Sequence, residues 1–380
     1  MTMKPMRGCL LIVVGLLSGL LAACSAQAPA PRFHAEENPR LLSEWGQLGI
    51  VGPQLVTGAG VVIYDLNTPL FTDYALKLRT IWMPDGSQAA YRENDVLDFP
   101  VGTVITKTFY YPRAGEFGQV GRGDGHALTT ADGRLDLSAV QLIETRILVR
   151  RESGWAALPY RWNDAQSEAV LLRYGDVVPL NMIDADGSET AFNYVMPDVN
   201  QCASCHAPDS NTRILSPIGP KPRHLNRDFD YPGGTRNQLD HLSAVGFLTG
   251  APAPDRAPRN ADWADINETL EARARSYLDA NCSHCHSPVG PADTSGLNLE
   301  PDIAHGPALG ICKLPIAAGS GTGDRRYDIV PGAPDESIML FRLDNVRPDQ
   351  MMPEIGRSTN HVEGIELIRA WIESLPGDCG

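Results

Sequence analysis

Two copies of the pattern Cys-x-x-Cys-His constrain this chain more than any other feature of its sequence. The first copy occupies residues 202–206 and the second occupies residues 282–286. Cysteine fills only 8 of the 380 positions, so two matches to this five-residue pattern are not expected by chance. Any fold that this chain adopts must therefore present two thiols and one imidazole together at each of two short segments.

This spacing is typical of covalent c-type haem attachment, in which two thiols add to the haem vinyl groups and the adjoining histidine ligates the iron. A zinc site would need paired motifs about 15–20 residues apart, and a thioredoxin-like site would need a βαβ context. The sequence shows neither arrangement. It therefore predicts two covalently attached haem c groups, held by Cys202, Cys205 and His206 and by Cys282, Cys285 and His286.

The N-terminus has the layout of an export signal. Lys4 and Arg7 precede an apolar run over residues 9–23, which is shorter than the about 20 residues of a membrane-spanning helix. The run ends in Leu-Ala-Ala before Cys24, which resembles the lipobox of bacterial lipoproteins, where the cysteine is lipidated. Ser25 rather than Asp follows, and in Gram-negative lipoproteins that favours the outer membrane. Ordinary signal cleavage near this point is the alternative.

These features predict a lipoprotein signal peptide over 1–23, lipidation of Cys24, and a location in the periplasm on the inner face of the outer membrane. Residues 24–40, rich in Ala and Pro, are predicted to be a flexible tether. The formal net charge of −14 excludes a role in holding nucleic acid, because phosphate binding requires a basic patch.

Residues 41–200 follow a period of two, with β-branched and aromatic residues and frequent turns. The clearest strand covers 103–111 between Gly102 and Pro112, and apolar residues alternate with Glu and Arg over 142–151. This pattern predicts an antiparallel β domain, a sandwich or a barrel, with the choice open.

The rest of the chain divides into three parts: a first haem-attachment segment over 201–250, a Pro-rich linker over 251–262, and a helical region over 263–380. An apolar stripe at helical spacing leads into the second motif, and another closes the chain. A helix, a haem motif, a loop with Met-Pro and a closing helix resemble a class I cytochrome c domain. The predicted fold class is therefore α+β, a β domain followed by a mostly α class I cytochrome c domain.

The resemblance to class I domains implies that Met352, which directly precedes Pro353, is the sixth ligand of the second haem rather than Met351. The first motif has no methionine before Cys282, so its sixth ligand must come from elsewhere; His241 and His224 are the main candidates. Two further cysteines of an exported chain remain, and we expect a disulfide between Cys312 and Cys379.

Seven segments resemble a family of bacterial exported di-haem c-type cytochromes over nearly all of the mature chain. They are YDLNTPLF at 64–71, IETR at 143–146, NQCASCH at 200–206, PIGPK at 217–221, NCSHCH at 281–286, YDIVPG at 327–332 and MMPE at 351–354. The resemblance implies an electron relay without a substrate, with a periplasmic dehydrogenase and other cytochromes as partners.

Two other functions stay open. One is a di-haem peroxidase, an enzyme in which the first haem keeps an open site for hydrogen peroxide. The other is carbohydrate or protein binding by the β domain, through Trp155, Tyr160 and Trp162 on an exposed strand.

Overall fold

The computed structural model describes residue 1 and residues 28–123, 129–316 and 318–380. The predicted signal peptide and Cys24 lie outside these residues, apart from Met1. None of the helices in the described ranges is long and apolar enough to cross a bilayer.

β-Strands dominate the described chain up to residue 249. They are β1 (Leu48–Val51), β2 (Gln54–Thr57), β3 (Val62–Tyr64), β4 (Leu76–Trp82), β5 (Ala89–Ala90), β6 (Val104–Pro112), β7 (Gln119–Gly121), β8 (Leu135–Asp136), β9 (Val140–Arg151), β10 (Gly154–Trp162), β11 (Ala169–Leu171), β12 (Asp176–Ile183), β13 (Glu189–Met196), β14 (Asp228–Tyr231), β15 (Gly234–Asn237) and β16 (Leu248–Thr249).

These strands form five sheets. The central sheet is antiparallel, with six strands in the order β11-β10-β9-β6-β4-β3. Two three-stranded sheets, β1-β2-β8 and β13-β12-β7, and two pairs, β14-β15 and β16-β5, surround it. The β12–β7 and β16–β5 pairings are parallel, so the β region is not purely antiparallel.

The alternation of side chains gives the central sheet two different faces. One face buries residues such as Val104 and Ile147 in a core shared with the β1-β2-β8 sheet. The opposite face carries Arg79, Lys107 and Arg146 and lines a large cavity. We call this opposite face the charged face.

Six short α-helices lie among the described residues. They are α1 (Val199–His206), α2 (Pro222–Leu225), α3 (Gln238–Ala244), α4 (Leu270–Leu278), α5 (Ile338–Leu343) and α6 (Val362–Ser374). The Thr269 hydroxyl caps α4 by accepting the Ala272 N–H at 3.2 Å. α6 packs against α4, with Ile368 and Trp371 fully buried.

The prediction of a mostly α class I cytochrome c domain over 263–380 is wrong. α4, α5 and α6 have only 9, 6 and 13 residues, and the described residues between 284 and 337 contain no α-helix. Glycines with positive φ, such as Gly296 and Gly310, break this stretch into turns. The molecule is mainly β-sheet, because helical periodicity was present only at the two ends of the region.

The prediction that Trp155, Tyr160 and Trp162 lie on an exposed strand is also wrong. Tyr160 and Trp162 are 0% and 4% exposed and belong to the core of the central sheet. Trp155 packs against a second core, edge-on to Phe99. No carbohydrate-binding surface is therefore formed by these three rings.

Packing continues across the predicted segment boundaries. Leu248, in the predicted haem-attachment segment, pairs with Ala89 in the β region. The Asn260 carbonyl, in the predicted linker, accepts a hydrogen bond from Asn67 Nδ2 at 2.6 Å. Residues 28–40 of the predicted tether lie along the sheets; for example, the Ala59 N–H donates to the Pro29 carbonyl at 2.8 Å.

Candidate functional site

The first motif forms the C-terminal half of α1. The Asp198 carboxylate caps this helix by accepting the Gln201 N–H at 2.7 Å. Residues i, i+3 and i+4 share one face of a helix. Cys202, Cys205 and His206 therefore lie together and line the same cavity.

The second motif continues the helical path of α4 through one π-helical turn, Asp279–Ser283. The Cys285 and His286 N–H groups both donate to the Cys282 carbonyl, at 3.0 and 2.9 Å. This turn brings Cys282, Cys285 and His286 to one side, where they line the cavity that also receives the first motif. Single π turns inside helices occur frequently at functional sites.

Hydrogen bonds define the protonation of both motif histidines. His206 Nδ1 lies 3.1 Å from the Ser216 carbonyl, which can only accept, so Nδ1 carries the proton. His286 Nδ1 lies 3.1 Å from Ser295 Oγ, whose own proton goes to the Ala292 carbonyl at 2.7 Å. In each neutral ring Nε2 is then unprotonated, which is the usual arrangement of a metal-ligating histidine.

Burial keeps both rings neutral at physiological pH. It lowers the pKa of His206 to about 4, with a further contribution from the positive charge of Lys107. It also lowers the pKa of His286 to about 4, helped by the charge of Arg342. A neutral imidazole is the form that binds a metal ion.

The cavity has a volume of about 430 Å³, within the range of small-molecule and cofactor sites. Its lining includes Met352, whereas Met351 is buried away from it at 5% exposure. The backbone of Met352 is held on both sides: its N–H donates to the Arg342 carbonyl at 3.0 Å and its carbonyl accepts from Arg357 at 2.9 Å.

The two motifs meet inside the cavity. Ligand atoms of Cys205, His284 and Cys285 all lie within 4.8 Å of one another. A hydrogen bond from the Cys285 thiol lowers the pKa of Cys205. Thiolate and imidazole are also ligands of zinc and copper, so this trio could hold such an ion if no haem were attached.

The residues present fit covalently attached haem. All four motif cysteines are free thiols, and each motif has a neutral histidine with Nε2 available. His284 Nδ1 is buried without a hydrogen-bond partner among the described residues, so it is a polar atom that a bound group can reach. A thioether, that of Met352, lines the same cavity.

The two histidines predicted for the first haem are placed differently. His241 is not part of the cavity lining, and its ring stacks on Tyr231 with centroids 3.4 Å apart. His224 does line the cavity, but its Nε2 donates to Asp279 Oδ2 at 3.0 Å. The same carboxylate accepts Arg223 Nε at 2.7 Å, so His224 is committed to a buried ion cluster.

Among the cavity residues that the sequence did not connect with the site are Lys77, Lys107, Lys221 and His361. The His361 ring stacks on Phe71 with centroids 4.3 Å apart, and burial lowers its pKa to about 4. The scarcity of lysine in the sequence was a signal that could have pointed to these three lysines. The chain has five, at positions 4, 77, 107, 221 and 313, and three of them line this cavity.

A disulfide joins Cys312 to Cys379, with their Cα atoms 5.2 Å apart. It ties the loop after the second motif to the chain end and does not line the cavity. Closing a loop of this length stabilises the folded state by about 4 kcal/mol in the chain-entropy model.

Comparison with known protein families, curated proteins and solved structures finds no match to this chain.

Proposed function

We propose that this chain is an exported di-haem c-type cytochrome, related to the family that it resembles, which relays electrons from a periplasmic dehydrogenase to other cytochromes. One observation carries the proposal. Two Cys-x-x-Cys-His motifs on helical turns face one cavity, each with a neutral histidine whose Nδ1–H is engaged and whose Nε2 is available.

The roles of the residues follow from their chemistry. A bound haem iron supplies reversible one-electron transfer. Cys202 and Cys205 would hold one haem through thioether bonds, and His206 would bind its iron. Cys282, Cys285 and His286 would do the same for the other haem. Met352 would also bind the iron of the second haem, and a thioether ligand would raise its reduction potential.

The contact between the motifs supports a relay. Cys205 and Cys285 are the second cysteines of their motifs, and their sulfur atoms lie within 4.8 Å of each other. No layer of polypeptide separates the two attachment points. Both haems would thus be held at adjacent sulfurs in one cavity, an arrangement suited to electron transfer between them.

The haem content that both candidate functions require is tested by counting haems. Pyridine haemochrome and intact mass should give two haems per mature chain. Cys282→Ser with Cys285→Ser should leave one, whereas Cys312→Ser with Cys379→Ser, which removes two cysteines outside the cavity, should leave two. A wild-type chain that carries a zinc or copper ion and no haem would overturn the proposal in favour of a metal site at Cys205, His284 and Cys285.

A second candidate is a di-haem peroxidase. It is favoured by one observation: His241 lies outside the cavity lining and His224 donates Nε2 to Asp279, so neither predicted histidine offers a free Nε2 to the first haem. Electron paramagnetic resonance separates the two functions. Low-spin signals alone support the relay, whereas one high-spin iron per chain with peroxide turnover supports the enzyme.

The location is part of the proposal. A lipid on Cys24 anchors the protein to the inner face of the outer membrane. Cys24→Ser should move the protein from the membrane fraction to the periplasmic fraction. Continued membrane association of this variant would contradict the lipoprotein assignment.

A further inference from the structure

The charged face of the central sheet places like charges side by side. Arg79 on β4, Lys107 on β6 and Arg146 on β9 are directly opposite one another in the strand register. Like charges at directly opposed positions destabilise a sheet. This row is also inside the molecule rather than on its surface, because all three side chains line the cavity.

The two arginines have carboxylate partners and the lysine has none. Arg79 pairs with Asp65 at 2.5 Å, and Arg146 pairs with Glu144, which is fully buried. Lys107 makes no hydrogen bond or ion pair with any residue that the structure describes; its ammonium group lies 5.2 Å from the centre of the Phe109 ring. Among the described residues, the row therefore has at its centre a lysine without a direct carboxylate partner.

Two more cavity lysines lack a carboxylate partner among the described residues. Lys77 donates only to the carbonyls of Leu70 and Ala75, at 3.0 and 2.8 Å. Lys221 makes no side-chain hydrogen bond or ion pair there, and burial lowers its pKa. Burial also lowers the pKa of Lys107 to about 7, which reflects the cost of a cation held away from water.

The charged side chains of the cavity lining are mostly positive, whereas the whole chain has a negative net charge. The lining contains six Lys and Arg side chains and two carboxylates, in a protein with a net charge of −14. Buried charges normally have partners, because removing an ion from water is costly. Three lysines that line one cavity without carboxylate partners among the described residues therefore favour its occupancy by an anionic group, which would hold them in the charged form.

We propose that Lys107, with Lys77 and Lys221 beside it, forms a carboxylate-binding site that ion-pairs with the propionates of the haem attached at Cys202 and Cys205. The inference rests on the proposed function, since an attached haem would bring its own carboxylates into the cavity. Lysine can hold a carboxylate as a compact point charge on a flexible stem. The assignment to the first haem follows from location: α1, which carries Cys202 and Cys205, packs against β10 of the central sheet that also carries Lys107.

The test compares Lys107→Met with Lys107→Arg in the mature, haem-loaded protein, by redox titration of each haem and by electron paramagnetic resonance. Removing a positive charge beside the haem favours the ferric form. Lys107→Met should therefore shift the equilibrium of one haem about tenfold toward oxidation, which is about 59 mV lower for a one-electron couple. Lys107→Arg should keep the wild-type potential, and neither variant should change the spin state.

The matched control is Arg134→Met, which removes one positive charge from an exposed side chain outside the cavity lining. It should leave both potentials unchanged. Unchanged potentials in Lys107→Met would overturn the inference, and so would a potential shift of equal size in Arg134→Met. Loss of the low-spin signal in both Lys107 variants would also overturn it, by making Lys107 an iron ligand.

Titrations in phosphate and in a zwitterionic buffer distinguish the source of the anion. A shift present in both buffers supports the propionates, whereas a shift seen only in phosphate means that a free anion occupies the site and overturns the inference. A wild-type chain with no haem is a different result, because it removes the proposed function itself. Two haems with no effect of Lys107→Met would remove this inference alone.

Discussion

The two Cys-x-x-Cys-His motifs line one cavity but have different surroundings. The first lies on α1 near the charged face of the central sheet, with Lys107 close to His206. The second follows α4 and lines the cavity together with Met352. The positive charge of Arg342 lowers the pKa of His286 in this motif. Two haems attached at the same five-residue pattern, as proposed, would therefore differ in their properties, because a further iron ligand and nearby charges would come from distant parts of the chain.

The strongest test of this comparison removes one motif at a time. Cys202→Ser with Cys205→Ser should leave one haem that keeps the near-infrared methionine–iron band, because Met352 belongs with the second motif. The reciprocal pair at Cys282 and Cys285 should leave one haem without this band. Absorption spectra of the two purified variants decide it, and a methionine band in the second variant would reverse the assignment.

Asp279 connects the scaffolds of the two sites. It is buried beside the second motif, yet it bonds His224 and Arg223 from the first segment and Asn260 from the predicted linker. Burial alone would raise the pKa of Asp279, but hydrogen bonds and charge from Arg223 and His224 hold it well below its usual value. The ionised carboxylate is therefore favoured by folding.

Asp279→Asn should destabilise the protein by about 3–5 kcal/mol, because it leaves Arg223 buried without its counter-ion. In the wild type, the stabilisation is present above the ordinary pKa of aspartate and declines as pH falls through and below that range. Thermal unfolding at neutral and acidic pH measures both effects. Asp335→Asn, at an exposed ion pair with Arg369, is the control and should cost less than about 1 kcal/mol. Equal losses in the two variants would contradict the role of Asp279.

Met352→Ala and Met351→Ala should separate ligation from packing. Only Met352 lines the cavity, so its replacement should abolish the methionine–iron band and lower one reduction potential, with the other potential unchanged. Met351 is buried in the protein, so its replacement should cost about 2–5 kcal/mol of stability and keep the band. The opposite pattern would make Met351 the ligand.

The smallest effect is expected from Ser295→Ala. This change removes the hydroxyl that accepts the His286 Nδ1–H, and the lost hydrogen bond makes the ring a weaker donor to iron. The potential of the second haem should rise slightly and that of the first should not move. Ser216→Ala is a matched control, because the His206 ring bonds the backbone carbonyl of Ser216, which that substitution retains. A larger shift in Ser216→Ala than in Ser295→Ala would contradict these assignments.

Local patterns in the sequence were reliable guides to local structure. The alternation over 142–151 became β9, and the apolar stripe near the C-terminus became α6. The region between α4 and α6 differs from the prediction, because helical patterns at its two ends do not determine the structure of the chain between them. Its glycines with positive φ, such as Gly296 and Gly310, instead produce turns.

The candidate site shows the same difference between local features, which the sequence predicts, and long-range contacts, which it does not. Cys202, Cys205 and His206 share a helix face because of their spacing, which the sequence contains. The approach of Cys205 to Cys285 depends on how α1 and the π turn pack together, and no local pattern encodes it. For the same reason the helical position of His241, which the sequence predicts, does not reveal that its ring stacks on Tyr231 outside the cavity lining.

The sequence alone determined where thiols, imidazoles and strand alternation occur, because these depend on spacing along a few residues. It also determined that Lys107 would lie on the opposite side of β6 from Val104 and Thr106, since side chains alternate along a strand. Only the tertiary structure decided what covers that side. A period of two distinguishes two faces but does not show whether the polar face meets bulk water or lines a cavity. Packing of α1 and the second motif beside the sheet makes this face a cavity wall.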